Sequence, residues 1–302
     1  NAAHAFHYTY QRADLHVDGP PLYPQLAALD DLATCEPVFT TSGMSAIATL
    51  LAAVRQHHPP VHVRLAAGCY DETCELLRCL GSDIRVEDGQ HPMRRAGTRV
   101  LWLDSSSREA VMRPGAPIHG GEDADLLVLD TSCLWRQSAT IRRCAEWAAR
   151  RGLPLALVRS HAKLDSLGIE YGRLGSIVLV LPAPGATAED GDGGGSLPTE
   201  LRRLHRLLGV APALASFPPF TAHHDYLACS SVRTAGIVRG TRLMQRRLQP
   251  RLGDALVTFR HALYVTIGLR RLARDDVVTL AADIAALLAR RGLAIRHAGS
   301  FG

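Results

Sequence analysis

Lysine occurs once in this chain of 302 residues, at Lys163, and the rest of its 34 pooled lysine and arginine residues are arginine. Arginine supplies fixed positive charge, often better than lysine, but it cannot shed its proton and so cannot act as a free amine nucleophile. Lysine can, because burial and neighbouring charges lower its pKa. Coding bias against lysine would leave a survivor at an arbitrary place, so position has to give Lys163 its meaning. It stands three residues after Ser160, the end of the apolar run "LALVRS". Two other stretches carry polar groups at comparable places. Asp130 ends "ADLLVLD", where an acid either caps a loop or holds a cationic ring nitrogen. Ser42-Gly43-Met44 join "PVFTT" to "GMSAIATLL". Small residues there let backbone N–H groups face an anion at a helix start. The same residues suit an ordinary N-cap by Thr41 or Ser42.

The elements that must position these groups alternate along the chain. "LAALDDLA" reads as a helix, "PVFTT" as a strand and "GMSAIATLLAAVRQ" as an apolar helix. "VHVRLA" is a strand, and "CYDETCELLRCLG" is a helix ended by Gly81. "DIRVED", "RVLWLD" and "ADLLVLD" are strands, "SATIRRCAEWAARRG" is a helix, and "PLALVRS" and "GSIVLVL" are strands. Strands alternating with helices predict a mainly parallel sheet covered on both faces. Residues 183–200, rich in Gly, Pro and acid, read as a mobile loop. A long Arg-rich helix follows over about 222–248. Then "DALVTFRHALYV" reads as a strand, "DDVVTLAADIAALLARRG" as an amphipathic helix and "LAIRHA" as a strand.

Composition narrows the class of function. Hydrophobic residues make up 47% and charged residues 21%, the balance of a globular protein. No segment is apolar enough over a sufficient length to span a membrane. The opening "NAAHAFHYTYQ" has no apolar h-region and no initiating Met, so it is no signal peptide and is expected to lack the true N-terminus. Net charge of +5 raises nucleic-acid binding as a question. The arginines are scattered over polar helix faces without interleaved aromatics, which argues against it. The seven cysteines include no C-x-x-C, so neither a zinc site nor a disulfide framework is indicated. Free thiols in a reducing cytoplasm fit that usage. The pairs His57-His58 and His223-His224, placed in strands, would point to opposite faces and read as surface residues rather than metal ligands.

In open α/β sheets ligands bind beyond the carboxyl ends of the strands. An anion cradle, a strand-end acid and a strand-end amine on one sheet edge suit pyridoxal phosphate. That cofactor needs a phosphate site, a carboxylate at its pyridinium nitrogen and a Schiff-base lysine. The wider pattern resembles the Cys/Met metabolism (cystathionine synthase and lyase) family of fold-type-I pyridoxal-phosphate enzymes. That family's Y-x-Y-S-R segment is matched by Tyr8-Thr9-Tyr10-Gln11-Arg12, and its S-G-M-x-A-I loop by Ser42-Gly43-Met44-Ser45-Ala46-Ile47. A tyrosine before a helix is matched by Tyr70, D-N-T-F by Asp130-Thr131-Ser132-Cys133, and S-x-T-K by Ser160-His161-Ala162-Lys163. The matches keep the family's order over most of the chain.

The resemblance implies an α/β fold-type-I transferase, with a large mainly parallel domain and a smaller C-terminal α/β domain. The expected division is an arm over 1–15, a large cofactor domain over 16–221 and an incomplete small domain over 222–302. It implies that Lys163 carries the Schiff base and shuttles protons, that Asp130 keeps the ring nitrogen protonated, and that Tyr70 stacks on the ring. The loop at Ser42, Gly43 and Met44, with Ser160 and Ser132, would hold the phosphate. Tyr10 and Arg12 would reach the phosphate of a neighbouring subunit in a homodimer or homotetramer. The implied reaction is β- or γ-elimination or replacement on an amino acid, with a cytoplasmic setting and a specialised biosynthetic pathway as the expectation. Aminotransfer is the alternative, and a non-catalytic scaffold the different-class rival.

Departures from the family surround the substrate. Ala162 replaces a hydroxyl residue, "LDSLGIEYGRLGS" replaces G-G-H-S-D, and "LDSSSRE" replaces E-S-P-x-N-P, setting Arg108 where asparagine is expected. Ser300-Phe301-Gly302 resembles the S-L-G that precedes the substrate-carboxylate arginine, which is therefore expected beyond residue 302. The competing alignment sets Tyr264 in the arginine's own motif and fits the order of elements less well. Ser160-x-x-Lys163 also spells the S-x-x-K of penicillin-binding enzymes, but their K-T-G element requires a second lysine.

Overall fold

The computed structural model describes residues 22–29, 32–57, 59–66, 68–87, 96–107, 118, 123–165, 173–182, 196–212, 224–268 and 273–292. In chain order the elements begin with a 3₁₀ turn at Pro24–Leu26, β1 (Leu32–Thr34), β2 (Val38–Thr40), α1 (Gly43–His57), β3 (Val61–Leu65), α2 (Asp71–Cys79) and β4 (Ile84–Glu87). There follow β5 (Thr98–Asp104), β6 (Leu126–Asp130), α3 (Ala139–Ala149), β7 (Leu155–Ser160), β8 (Gly175–Pro182) and α4 (Leu197–Leu207). The last are α5 (His224–Leu252), β9 (Leu256–Thr258), β10 (Val265–Ile267) and α6 (Arg274–Arg290).

The main sheet runs in the order β1-β8-β7-β6-β5-β3-β4, with β2 also paired to β8. Strands β3 to β7 are parallel, whereas β8 runs antiparallel to β7, and β1 and β2 antiparallel to β8. All five residues of β6 are buried, as a parallel strand covered on both faces requires. Alternate side chains enter two separate cores. Leu127, Leu129, Leu155 and Leu157 join Ile141, Ala145 and Trp147 of α3 on one face. Leu126, Val128, Ala156 and Val158 join α1, Leu77 of α2, and Leu201 and Leu204 of α4 on the other.

Three local expectations are corrected. "LAALDDLA" is no helix: its last part enters β1, which pairs with β8 in the register Leu32↔Pro182. A segment so short holds no helix by itself, and the edge of β8 offers it a ladder of partners. "DALVTFRHALYV" is the β9–β10 hairpin, registered Leu256↔Ile267. Its reversal has no Gly-Pro marker; Ala262 adopts φ 54° beside the packed rings of Phe259, His261 and Tyr264. The loop reading over 183–200 stops short of 197, where α4 begins with Pro198 in its first turn, a place that proline tolerates. His57 and His224 lie at helix ends rather than in strands, and His58 and His223 lie outside the described residues.

Contacts divide the chain into two compact units, Asn1–Gly236 and Ile237–Gly302. Among the described residues no helix is long and apolar enough to cross a membrane. All seven cysteines are free thiols.

Candidate active site

Register brings the polar strand ends together. Asp104 of β5 lies opposite Asp130 of β6, and Ser160 of β7 lies opposite Gly175 of β8, which in turn faces Thr40 of β2. The turn after β2 therefore runs across the end of β7. A Cβ on Gly43 would sit 2.6 Å from Ser160 Cβ, so only glycine allows α1 to start against that strand. A Cβ on Gly175 would overlap the Ser42 carbonyl, so the backbone is pressed close there as well.

Ser42 caps α1, its Oγ accepting from Ser45 N at 3.0 Å while its carbonyl accepts from Ala46 N at 3.0 Å. The first-turn amides of Gly43 and Met44 have no acceptor in the described chain. The cap and the anion cradle are therefore compatible: the serine serves the third and fourth amides and leaves the first two.

Asp130 is buried, and one carboxylate oxygen accepts from Ser132 N at 2.8 Å. Burial pushes its carboxyl up to about 7; Asp104 adds to the rise, and the Ser132 hydrogen bonds and Arg159 oppose it. Ser132 Oγ in turn accepts from Ser160 N at 2.8 Å, tying the ends of β6 and β7. Asp104 was missed in the sequence, although "RVLWLD" ends in an acid just as "ADLLVLD" does. It binds Tyr70 N at 2.8 Å through Oδ2 and the Ser106 amide and hydroxyl at 2.7 Å through Oδ1. Tyr70 is thereby held at the start of α2. Burial and Glu72 together raise its phenol above the ordinary value.

Lys163 lies in the turn after β7 and is exposed, with Nζ 5.7 Å from the centroid of the Tyr70 ring. That distance is within reach of a cation–π contact.

Beneath this turn lies a buried cluster that sequence reading also missed. Arg159 Nε and a terminal nitrogen grip both oxygens of Asp165 at 2.6 and 2.9 Å. Its other terminal nitrogen donates to the carbonyls of Thr131 and Leu134 at 2.6 and 2.8 Å. His161 bridges Asp165 at 2.6 Å through Nδ1 and Ser176 Oγ at 2.8 Å through Nε2. Burial opposes both charges of the pair, yet mutual attraction wins: Asp165 falls well below the carboxylate range and Arg159 rises. Burial lowers the His161 pKa despite the opposing pull of Asp165. The "LD" after Lys163, read as a departure from the family pattern, is thus the ion-pair partner of a residue four before the lysine.

Ser42, Gly43, Met44, Tyr70, Asp130, Ser132, Ser160 and Lys163 all lie in the one unit, at or beside the sheet's carboxyl end. Tyr10, Arg12, Arg108 and residues 300–302 lie outside the described residues. Tyr264 lies in the other unit, just before β10.

No family model matches the chain, and no curated protein matches it in sequence. Solved structures do match in fold. A pyridoxal-phosphate-dependent aminotransferase from Streptococcus suis superposes with a TM-score of 0.58 at 12% identity, over 89% of this chain and 72% of its own. Aspartate aminotransferase from Trypanosoma cruzi gives 0.55 at 15%, over 92% and 74%. A Methanococcus jannaschii protein, described as similar in its active site to kynurenine aminotransferases, gives 0.52 at 14%, over 82% and 64%. The chain thus spans a little under two thirds of that archaeal protein's length. Its fold is that of the fold-type-I pyridoxal-phosphate-dependent aminotransferases, an α/β architecture on a mixed, mostly parallel sheet.

Proposed function

We propose that the chain is a pyridoxal-phosphate-dependent enzyme acting on an amino acid, and that its reaction is amino-group transfer. One juxtaposition supports this above all: the start of α1 lies against Ser160, three residues before the sole lysine, with Asp130 on the adjoining strand.

The described residues fit the cofactor. The Gly43 and Met44 amides, at the positive end of α1 and without acceptors in the described chain, would hold the phosphate. Ser160 would add a hydroxyl donor, and Ser132, whose Oγ accepts from Ser160 N while its hydroxyl is engaged with Asp130, would hold Ser160 and the acid in place. Asp130 would hold the ring nitrogen, and Lys163 the aldehyde carbon through its amine. When bound, pyridoxal phosphate supplies an electron sink for the pair left at the amino acid's Cα as its proton departs.

The chain's own residues then place groups and handle protons. Lys163 Nζ takes the Cα proton and passes it on. Asp130 changes role with its surroundings: a cationic nitrogen beside it lowers its pKa, and the ionised carboxylate keeps that nitrogen protonated. Tyr70, fixed through Asp104, would stack on the cofactor ring. Tyr10 and Arg12 would complete the phosphate site of a second subunit in a homodimer, with 1–15, 16–221 and 222–302 as arm, large domain and small domain.

The fold neighbours favour transfer. The Ser42-to-Ile47 loop and Tyr70, matching the Cys/Met metabolism pattern, favour β- or γ-elimination or replacement as the second reading. Incubating the purified protein with cofactor, single amino acids and a 2-oxo acid separates them. Transfer moves the amino group to the oxo acid. Elimination releases a leaving group without consuming the oxo acid. Bound cofactor unresponsive to every amino acid would leave the scaffold, and failure of borohydride to fix cofactor on Lys163 would sink the proposal.

A further inference from the structure

We propose that the buried Arg159–Asp165 pair, together with His161, is a positioning device that aims Lys163 at the Tyr70 ring. The catalytic value of that aim rests on the function proposed above; the aim itself does not.

Five residues, 160–164, separate Arg159 from Asp165, and the two-pronged contact between them closes the segment into a loop with Lys163 near its tip. Each flank of the lysine is held separately. Ser160 N donates to Ser132 Oγ, and His161 N to Leu174 O. The His161 ring spans from Asp165 to Ser176 of β8. Leu164 O accepts from Ser230 Oγ of α5 at 2.7 Å. Arg159 also grips the carbonyls of Thr131 and Leu134, on either side of Ser132 and Cys133. One guanidinium therefore joins the loop that follows Asp130 to the turn that carries Lys163. Arginine is required, since a planar fork can satisfy a carboxylate and two carbonyls at once and an ammonium cannot.

Burial of an ion pair is a poor route to stability, because apolar residues of similar volume often serve as well or better. What such a pair supplies is a defined geometry, and here the geometry belongs to the segment bearing the sole lysine.

The sole lysine also makes the test clean. Reductive methylation of the full chain, freed of any bound cofactor, with ¹³C-formaldehyde gives one dimethyl-lysine signal, separable from that of the α-amine. The Tyr70 ring should displace this signal from the free dimethyl-lysine position, and Tyr70→Leu should abolish the displacement. The double variant Arg159→Met with Asp165→Leu should fold, by circular dichroism, yet lose at least half of the displacement. His161→Gln should lose a smaller part, and it decides the matter if the double variant does not fold. A folded double variant, or failing that His161→Gln, with the full displacement would overturn the proposal. So would a Tyr70→Leu spectrum identical to that of the parent. A role in stability alone would lower the melting temperature and leave the signal in place.

The second readout is cofactor fixed to Lys163 by borohydride, expected to fall about tenfold in the double variant at matched cofactor concentration. A parent protein that fixes none would refute the proposed function, while the methyl signal still decides whether the pair aims the lysine.

Discussion

Asp130 and Asp165 are both buried carboxylates near Arg159, yet they stand on opposite sides of the ordinary carboxylate range. Asp165 has a guanidinium fork on both oxygens and a histidine N–H besides, and is held ionised. Asp130 has a serine amide on one oxygen and another acid on the adjoining strand, and burial pushes it up toward neutrality. Residue type and burial are shared, so partners decide. One acid is spent on holding a turn in place; the other is kept ready to respond to a positive charge brought beside it.

Breaking the paired side should have the largest effect. Asp165→Asn leaves Arg159 buried without its counter-charge, and a loss of about 3–5 kcal/mol is expected in urea denaturation at pH 7. A loss below about 1 kcal/mol would mean that the pair is not the anchor of its turn.

The unpaired side should behave with the opposite sign. The folded-state pKa of Asp130 is raised from 3.8 to about 7, so the folded form keeps a proton that the unfolded chain releases across that window. Stability of the cofactor-free protein should therefore fall as pH rises from about 4 to 7, by up to about 3–4 kcal/mol from this group. Asp165, depressed instead, contributes stability that is present above the unfolded carboxylate pKa and lost only as pH falls below it. Asp130→Asn should remove the decline between pH 4 and 7 and be the more stable protein at pH 8. Parallel pH–stability curves for variant and parent would contradict the assignment.

The cradle end of the site sharpens the comparison, because steric fit rather than charge holds it. Gly43→Ala forces a Cβ onto Ser160 and should cost about 1–3 kcal/mol. It should also weaken cofactor binding several-fold by spectroscopic titration. The smallest effect is expected at the cap. Ser42→Ala removes the hydrogen bonds of its Oγ with Ser45 N and Ser45 Oγ, at about 1 kcal/mol, and should leave cofactor affinity within about twofold.

Several of these places could be read directly from the chain. A lysine-free background exposed Lys163, and strand-end position singled out Ser160 and Asp130. Gly43 was legible because small residues between a strand and a helix let backbone N–H groups face an anion. Asp104 offered the same strand-end signal as Asp130, but the "LDSSSRE" stretch that holds it draws attention to Arg108 instead. Arg159 and Asp165 offered almost none. In sequence they are one arginine among many and an acid within a stretch that fits no motif. The false helix at "LAALDDLA" has the same origin: local pattern was weighed without the partner strand that decides it.

The sequence by itself determined the alternation of strands and helices, hence an α/β sheet, and the places where chemistry-bearing groups leave it. Both follow from periodicity and from the chemistry of single side chains, which neighbours in the chain report. Only the tertiary structure decided which of those groups meet: Gly43 on Ser160, Tyr70 on Asp104, and Arg159 on both Asp165 and the loop after Asp130. Strand register sets those meetings, and with them the pKa of each acid. Register is fixed by which face of each strand is buried and by its pairing with residues far apart in the chain, and a reading of chain neighbours alone does not supply that partner.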